Sequence, residues 1–422
     1  MERKDAIRGC GGRCAKPIGR TLLNLFFIFF AITATFAENL KEVKIAALYP
    51  MTGVTASSGI TVMRGWNIAV DEINAAGGIK SLGGAKLKTV LYDTEGDPRV
   101  GMTQIEKIAQ DLSIPVVGGC WASAVTYPVT QISEQYGLPH IIEVASQYDI
   151  MQRGFKYIFR ICLNAPGTAQ NWVNFFKYQA KKTGVPITKV AMMTVDDNYG
   201  RDTVAMFKKA IAGTDLKLVA EVYHPTTATN VDVEVAKVKA ANPDVIIVTA
   251  FLNDGSLITR SLYTQGVNPT GGIMFNGGHS IPDFLKLTGK MSEYFCGGFK
   301  WDAGLIKPEL ANFDAQMMER YNVHADPMVA SGYAEVYVIK DALERAGTIN
   351  RDKVRDALAS TYITSGPALA LACKYIKFNA IGENEGATEH ICQNINGRWT
   401  NVWPVDMPHE REAIWPWPGF KK

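Results

Sequence analysis

The chain has 422 residues, 47% of them hydrophobic and 20% charged, with a formal net charge of +3 at pH 7. That length exceeds what one hydrophobic core comfortably holds, so two or three compact units are expected. A mean hydropathy of −0.02 leaves no room for several membrane spans.

The first 37 residues stand apart. Arg3, Lys4, Arg8, Arg13, Lys16 and Arg20 precede the apolar run TLLNLFFIFFAITATF, and small residues surround Ala37. A basic region, an apolar stretch shorter than the roughly 20 residues that span a bilayer, and a small-residue site read as a secretory signal peptide cleaved after Ala37, with a retained anchor as the competing reading. Cleavage removes six basic and two acidic side chains and moves the formal charge from +3 to −1. No Lys/Arg cluster then remains to suggest nucleic acid or anionic lipid as a partner.

Of seven cysteines, Cys10 and Cys14 fall in the leader, and Cys120, Cys162, Cys296, Cys373 and Cys392 remain in an oxidising compartment. The odd number implies at least one thiol. Cys373 precedes the strand-like KYIKFN and Cys392 lies in HICQNI; a hairpin there would bring them together as a disulfide. The spacings do not resemble a metal site, and no cofactor is expected.

From Val43 onward, short β-branched runs alternate with stretches at helical period. VKIAALYP, LKTVLYD, IPVVGG and LPHII read as strands, separated by helices through GWNIAVDEINAAGG, TQIEKIAQDL and TYPVTQISEQYG. Such buried strands with intervening helices imply a parallel sheet covered on both faces. After YIFRICLNAPG the alternation restarts with KVAMMTVDD, LKLVAEVYH, DVIIVTAFL and GGIMFNGG as strands; helices through NFDAQMMERYN, VASGYAEVYVIKDALERAG and DKVRDALAS come later. The expected fold is α/β, two doubly wound parallel-sheet lobes joined by a multi-strand hinge. Residues 38–161 plus 301–372 would form lobe 1, and 162–300 plus 373–422 lobe 2 and a C-terminal tail. No flexible tether separates them, so they can hinge at crossings near residues 161–164 and 296–301. The Trp399, Trp403, Trp415 and Trp417 cluster, with its prolines, predicts a tail packed over one lobe.

Ligands of open parallel sheets sit outside the carboxyl ends of the strands. In the first lobe these ends carry Thr52, Thr55, Ser57 and Ser58, then Trp121, Ser123 and Thr126, then Val144, Ala145 and Ser146. Hydroxyls and bare amides with no Lys or Arg suit a carboxylate held by neutral donors. Helix capping alone is the competing reading for any one of these hydroxyls. The second-lobe ends carry Tyr199, Phe251, Asn253, Asn276, Gly278 and His279, and rings facing hydroxyls fit an organic acid with an apolar body.

ALYPMTG, GWNIAVDEINAAGGI, LYDTEGDP, the Gly-Gly strand end with Ser123 and Thr126, VAS, MQRGFKYIFR and VDDNYGRD occur in that order. Together they resemble the leucine/isoleucine/valine-type periplasmic binding proteins (type I) of ABC importers. The resemblance implies a carboxylate site on Ser123 and on Val144 with Ser146, a second-lobe Tyr at Tyr199, an aromatic at Phe251, a first-loop contact at Ser58 and an apolar wall at Met328. It also implies a periplasmic monomer that delivers a small ligand to membrane permease subunits. One departure bears on the ligand: where the family's amino-acid binders carry an acid for the ligand ammonium, FNGGHSIPD offers Gly277, Gly278 and His279. An apolar or aromatic acid, with a hydroxyl near His279, therefore competes with an amino acid as ligand, and Asp254 is the candidate substitute for the missing acid. Also absent is a Cys in YDTEGDP, where some relatives pair it with one beside the carboxylate loop; Gly96 stands there, and Cys120 lacks that partner.

Two other function classes compete with a binding protein. An enzyme would need machinery, and no Gly-x-Ser-x-Gly, Gly-x-x-x-x-Gly-Lys, Gly-x-Gly-x-x-Gly or His-Glu-x-x-His pattern occurs. A ligand-sensing receptor domain would need a further membrane segment, which PHEREAIWPWPGFKK does not supply.

Overall fold

The computed structural model of the protein describes residues 40–299, 310–405 and 410–420. The expected signal peptide, and residues 300–301 of the second crossing, lie outside them. Among the described residues no helix is long and apolar enough to cross a membrane.

The first sheet is built from β1 (Glu42–Tyr49), β2 (Lys86–Asp93), β3 (Val117–Gly119), β4 (His140–Ile142) and β5 (Ile158–Arg160), in the order β2-β1-β3-β4-β5 with all neighbours parallel. The helices α1 (Ala56–Ala75), α2 (Pro98–Gln110) and α3 (Ser123–Gln135) connect them. Burial on both faces is why β1 reads as a nearly unbroken apolar run. The chain steps from β1 to one edge and then back to β3, which creates the switch point where ligands of such sheets lodge.

After α4 (Ala165–Thr183) the second sheet begins. It contains β6 (Lys189–Val195), β7 (Lys217–His224), β8 (Val245–Ala250), β9 (Ile273–Gly277) and β10 (Cys296–Phe299), with α5 (Asn198–Ile211), α6 (Asp232–Ala240), α7 (Leu252–Thr264) and α8 (Asp283–Thr288) between them. These strands pair in parallel in the order β10-β9-β8-β6-β7. The edge beyond β10 is an antiparallel hairpin of β13 (His390–Ile395) and β14 (Arg398–Trp403). The tail follows the same lobe: Trp415 meets Phe175 edge-on at 5.5 Å, and the Trp417 amide donates to the Thr270 carbonyl at 2.9 Å.

Late helices return to the first sheet. α9 (Ala311–Tyr321) and α10 (Pro327–Ala346) pack along α1, and α11 (Arg351–Ala359) follows. The α1–α10 crossing needs glycine on both sides, since a Cβ on Gly65 would lie 1.8 Å from the Val329 carbonyl oxygen and one on Gly332 2.3 Å from that of Val62. Polar contacts set the register: the Tyr333 and Tyr337 hydroxyls both donate to Glu72, at 2.6 and 2.7 Å.

The hairpin expected to join Cys373 to Cys392 does not form. The short strand β12 (Ile376–Lys377) pairs instead with β11 (Tyr362–Ile363), Cys373 bridges Ala387, and Cys392 sits in β13 between β10 and β14. Cys373 lies in an isolated bridge outside the sheets and Cys392 inside one, and all five cysteines of the described residues are buried thiols.

Between the sheets runs a polar seam. Arg160, fully buried at the end of β5, donates through Nε to Glu383 at 2.9 Å and pairs with it again through Nη2. Its Nη1 donates to the carbonyls of Ala145 and Gln147 at 3.1 and 2.7 Å. Asn164 caps α4 through Gly167 N–H at 3.0 Å and also donates to Glu383 at 3.1 Å. One ion pair thus ties the crossing, the returning segment and the loop after β4.

Candidate functional site

The carboxyl ends of both sheets open onto one cleft, which holds about 660 Å³ of space between protein atoms, open solvent included. Trp121, Ala122 and Ser123 reach it from β3, and Glu143, Val144, Ala145 and Ser146 from β4. Across from them stand Tyr199 after β6, Phe251 after β8, Asn276 and Gly277 at the end of β9, and Gly298 in β10. Pro327, Met328 and Ser331 close one side from the first turns of α10, and Leu371 and Glu389 complete the lining.

The first wall is small and polar. Ser123 opens α3, and its hydroxyl accepts the Gln147 N–H at 3.4 Å, which ties the β3 and β4 loops together. Ser146 is only 6% exposed, and its carbonyl accepts the Ala165 N–H at 2.9 Å. The N-terminus of α3 adds the partial positive charge of its unpaired amides.

The second wall is aromatic. Tyr199 stacks on Phe251 with centroids 6.2 Å apart and an interplanar angle of 21°. Burial, with the carboxylates of Asp197, Glu389 and Asp254 nearby, pushes the Tyr199 phenol well above its ordinary range, so it remains a neutral hydroxyl. Gly277 is required beside it: at φ 102° an added Cβ would lie 2.5 Å from the Ala250 carbonyl oxygen and 3.2 Å from the Tyr199 hydroxyl.

Trp121 spans the two walls. Its ring lies 5.3 Å from that of Phe251, and its indole N–H points to the Met328 sulfur at 3.4 Å. Its backbone sits at φ 67°, a left-handed position that is costly for so bulky a residue and is held here by packing on both sides.

Of the residues expected from sequence, Trp121, Ser123, Val144, Ala145, Ser146, Tyr199, Phe251 and Met328 share this lining. Ser58, Gly278 and His279 are not part of it. Ser58 is buried in the first turn of α1, its N–H donating to the Thr55 carbonyl at 3.0 Å. Gly278 packs against the Phe251–Leu252 backbone. The tight turn Gly278–Ser280 rotates the His279 ring inward, where it meets Phe299 at 4.8 Å and Trp399 at 5.4 Å and its Nε2 faces the Gly298 carbonyl at 3.1 Å. Burial lowers its pKa to about 3, so it stays neutral. The expected ligand hydroxyl near His279 has no partner there; Ser280 lines the cleft in its place.

Asp254 is likewise committed elsewhere. Its Oδ1 accepts the Phe251 N–H at 3.0 Å at the start of α7, and it does not line the cleft. The acids that do are Glu143 and Glu389, which the sequence reading passed over. An acidic residue directly after the buried LPHII strand was the available signal for Glu143. Nothing local marked Glu389, which arrives from the segment before β13.

Two doubly wound sheets whose carboxyl ends face each other across a part-apolar cleft define a two-lobed solute-binding protein. The chain belongs to the periplasmic binding protein family, whose model matches residues 42–375. It is 28% identical over 324 residues to Leu/Ile/Val-binding protein homolog 3 of Brucella melitensis, covering 76% of this chain and 84% of that protein. Its fold is similar to that of LivJ, a branched-chain amino acid transporter substrate binding protein of Streptococcus pneumoniae solved with isoleucine, at TM-score 0.75 and 20% identity over 86% of this chain and 100% of that one. A solute binding protein of an ABC transporter from R. palustris, solved with benzoate, aligns at TM-score 0.73 and 19% identity over 88% and 99% of the two chains.

Proposed function

We propose that the protein is the substrate-binding component of an ABC importer for a small carboxylate with an apolar or aromatic body. The ligand's acid group docks on Ser123, Ser146 and the α3 N-terminus; its body lies against Tyr199, Phe251, Trp121 and Met328. The lobes, 38–161 plus 301–372 and 162–300 plus 373–422, close about the Arg160–Glu383 seam, so ligand binding selects the closed form that the permease subunits accept. It works as a monomer in the periplasm after loss of residues 1–37, and carries out no reaction of its own.

The observation that carries this reading is a single cleft with hydroxyls and helix amides on one wall and stacked rings on the other. The bound acids of two fold neighbours, isoleucine and benzoate, both combine a carboxylate with an apolar body. A thermal-shift screen of amino acids and of aromatic and aliphatic acids tests it, because a tight ligand raises the midpoint by mass action. Replacing Ser123 and Ser146 together by Ala should weaken the best hit by at least about tenfold, since a hydrogen bond to a charged group contributes about 1.5–3 kcal/mol. Unchanged affinity in calorimetry would refute the carboxylate site.

A further inference from the structure

Strand order alone would bring more of the first sheet to the cleft than is found there. β1 lies directly beside β3, paired with it up to Leu48 and Gly119. Yet among the described residues the strands of the first sheet line the cleft from the ends of β3 and β4, and nothing from Thr52 to Ser58 reaches it. On the β3 loop the lining begins at Trp121.

Trp121 is 5% exposed and is held from several directions at once. Its ring lies 5.3 Å from that of Phe251, which follows β8 in the second sheet, and Phe251 in turn stacks on Tyr199 at 6.2 Å. A row of rings thus runs from the end of one sheet to the end of the other. The indole N–H points to the Met328 sulfur, 3.4 Å away in the first turn of α10. The backbone stays at φ 67°, which so bulky a residue keeps only where its surroundings fix it. The ring therefore cannot swing aside without breaking contacts with both Phe251 and Met328.

Resting on the reading of the cleft as a carboxylate site, we propose that Trp121 sets the size of the ligand. The indole is a fixed end wall two residues from Ser123, so the protein selects acids with a compact body, of branched-aliphatic or single-ring size, over acids with an extended one. Tyr199 and Phe251 attract an apolar body of any length; Trp121 is what limits it. An extended body would have to push the indole into Phe251 or Met328, and close-packed surroundings resist added volume. On this reading the indole takes the place of the first-loop contact expected at Ser58.

The test is calorimetry on the full chain with two probe pairs, L-leucine against L-tryptophan and benzoate against biphenyl-4-carboxylate. In a pair whose compact member binds, the native protein should hold that member at least about tenfold tighter than the extended one, the scale on which an apolar pocket discriminates by size. Trp121→Gly removes the wall and accepts φ 67° without strain; it should narrow or invert that ratio by gaining affinity for the extended member. Trp121→Phe keeps a ring beside Phe251 and should fall between the two, and it carries the test if the glycine variant does not fold. Equal or tighter binding of the extended member by the native protein overturns the size role and leaves the carboxylate site standing. Variants that weaken both members by the same factor, or leave the ratio unmoved, overturn it as well, since Trp121 would then be structural. Failure of every probe to bind the native protein removes the carboxylate reading and this inference with it.

Discussion

The two walls of the cleft are built by opposite means. The first is made of small residues on loops, and what holds them is charge: Arg160 grips the carbonyls on either side of Ser146 and is itself neutralised by Glu383. The second is made of rings that hold one another, Tyr199 on Phe251 and Phe251 on Trp121. A buried ion pair adds little net stability but is costly to break, whereas ring packing is lost in proportion to the area removed. The polar wall should thus fail abruptly and the aromatic wall by degrees.

The sharpest way to break the contrast is Arg160→Met. It leaves Glu383 buried without its cation and frees two carbonyls, and urea unfolding should show a loss of about 3–5 kcal/mol. Adding Glu383→Gln should recover part of that loss; if the double variant is no more stable than the single one, the pair is not what holds the loop. Phe251→Ala attacks the other wall. Phe251 is only half-buried, so the expected loss is about 2 kcal/mol in the same assay, with weaker binding of aromatic probes than of aliphatic ones.

The smallest effect belongs to the side closed by α10. Asp326 caps that helix through the Met328 and Val329 amides at 2.7 and 3.0 Å, and burial raises its pKa to about 7 from 3.8. A carboxyl raised in the fold contributes stability that is complete below pH 3.8 and lost as pH rises through about 7. Asn keeps the cap without the charge, so Asp326→Asn should match the native protein at low pH and exceed it by a margin that grows as pH rises towards 8. Denaturant midpoints across pH check this, and a parallel pair of curves would contradict it.

The alternation of strands and helices was readable because buried parallel strands and amphipathic helices impose distinct periods on local sequence. So was the placement of Ser123, Ser146, Tyr199 and Phe251 at strand ends, since the carboxyl ends of such sheets are where side chains meet a ligand. His279 was misread for a physical reason: its loop does reach the cleft, but a turn of one residue's rotation decides whether the ring or Ser280 faces it. The expected disulfide does not form because β12 pairs with β11 and β13 with β10 and β14, so the segments carrying Cys373 and Cys392 do not make a hairpin with each other.

By itself, then, the order of residues determined two βα layers and the hydroxyl and aromatic character of the strand ends, because both follow from contacts within a few residues. Tertiary structure alone decided which charges share the cleft. Glu143 and Glu389 lie far apart along the chain and line one cleft only once β13 has paired with β10; an electrostatic environment is a sum over spatial neighbours, and sequence distance does not enter it.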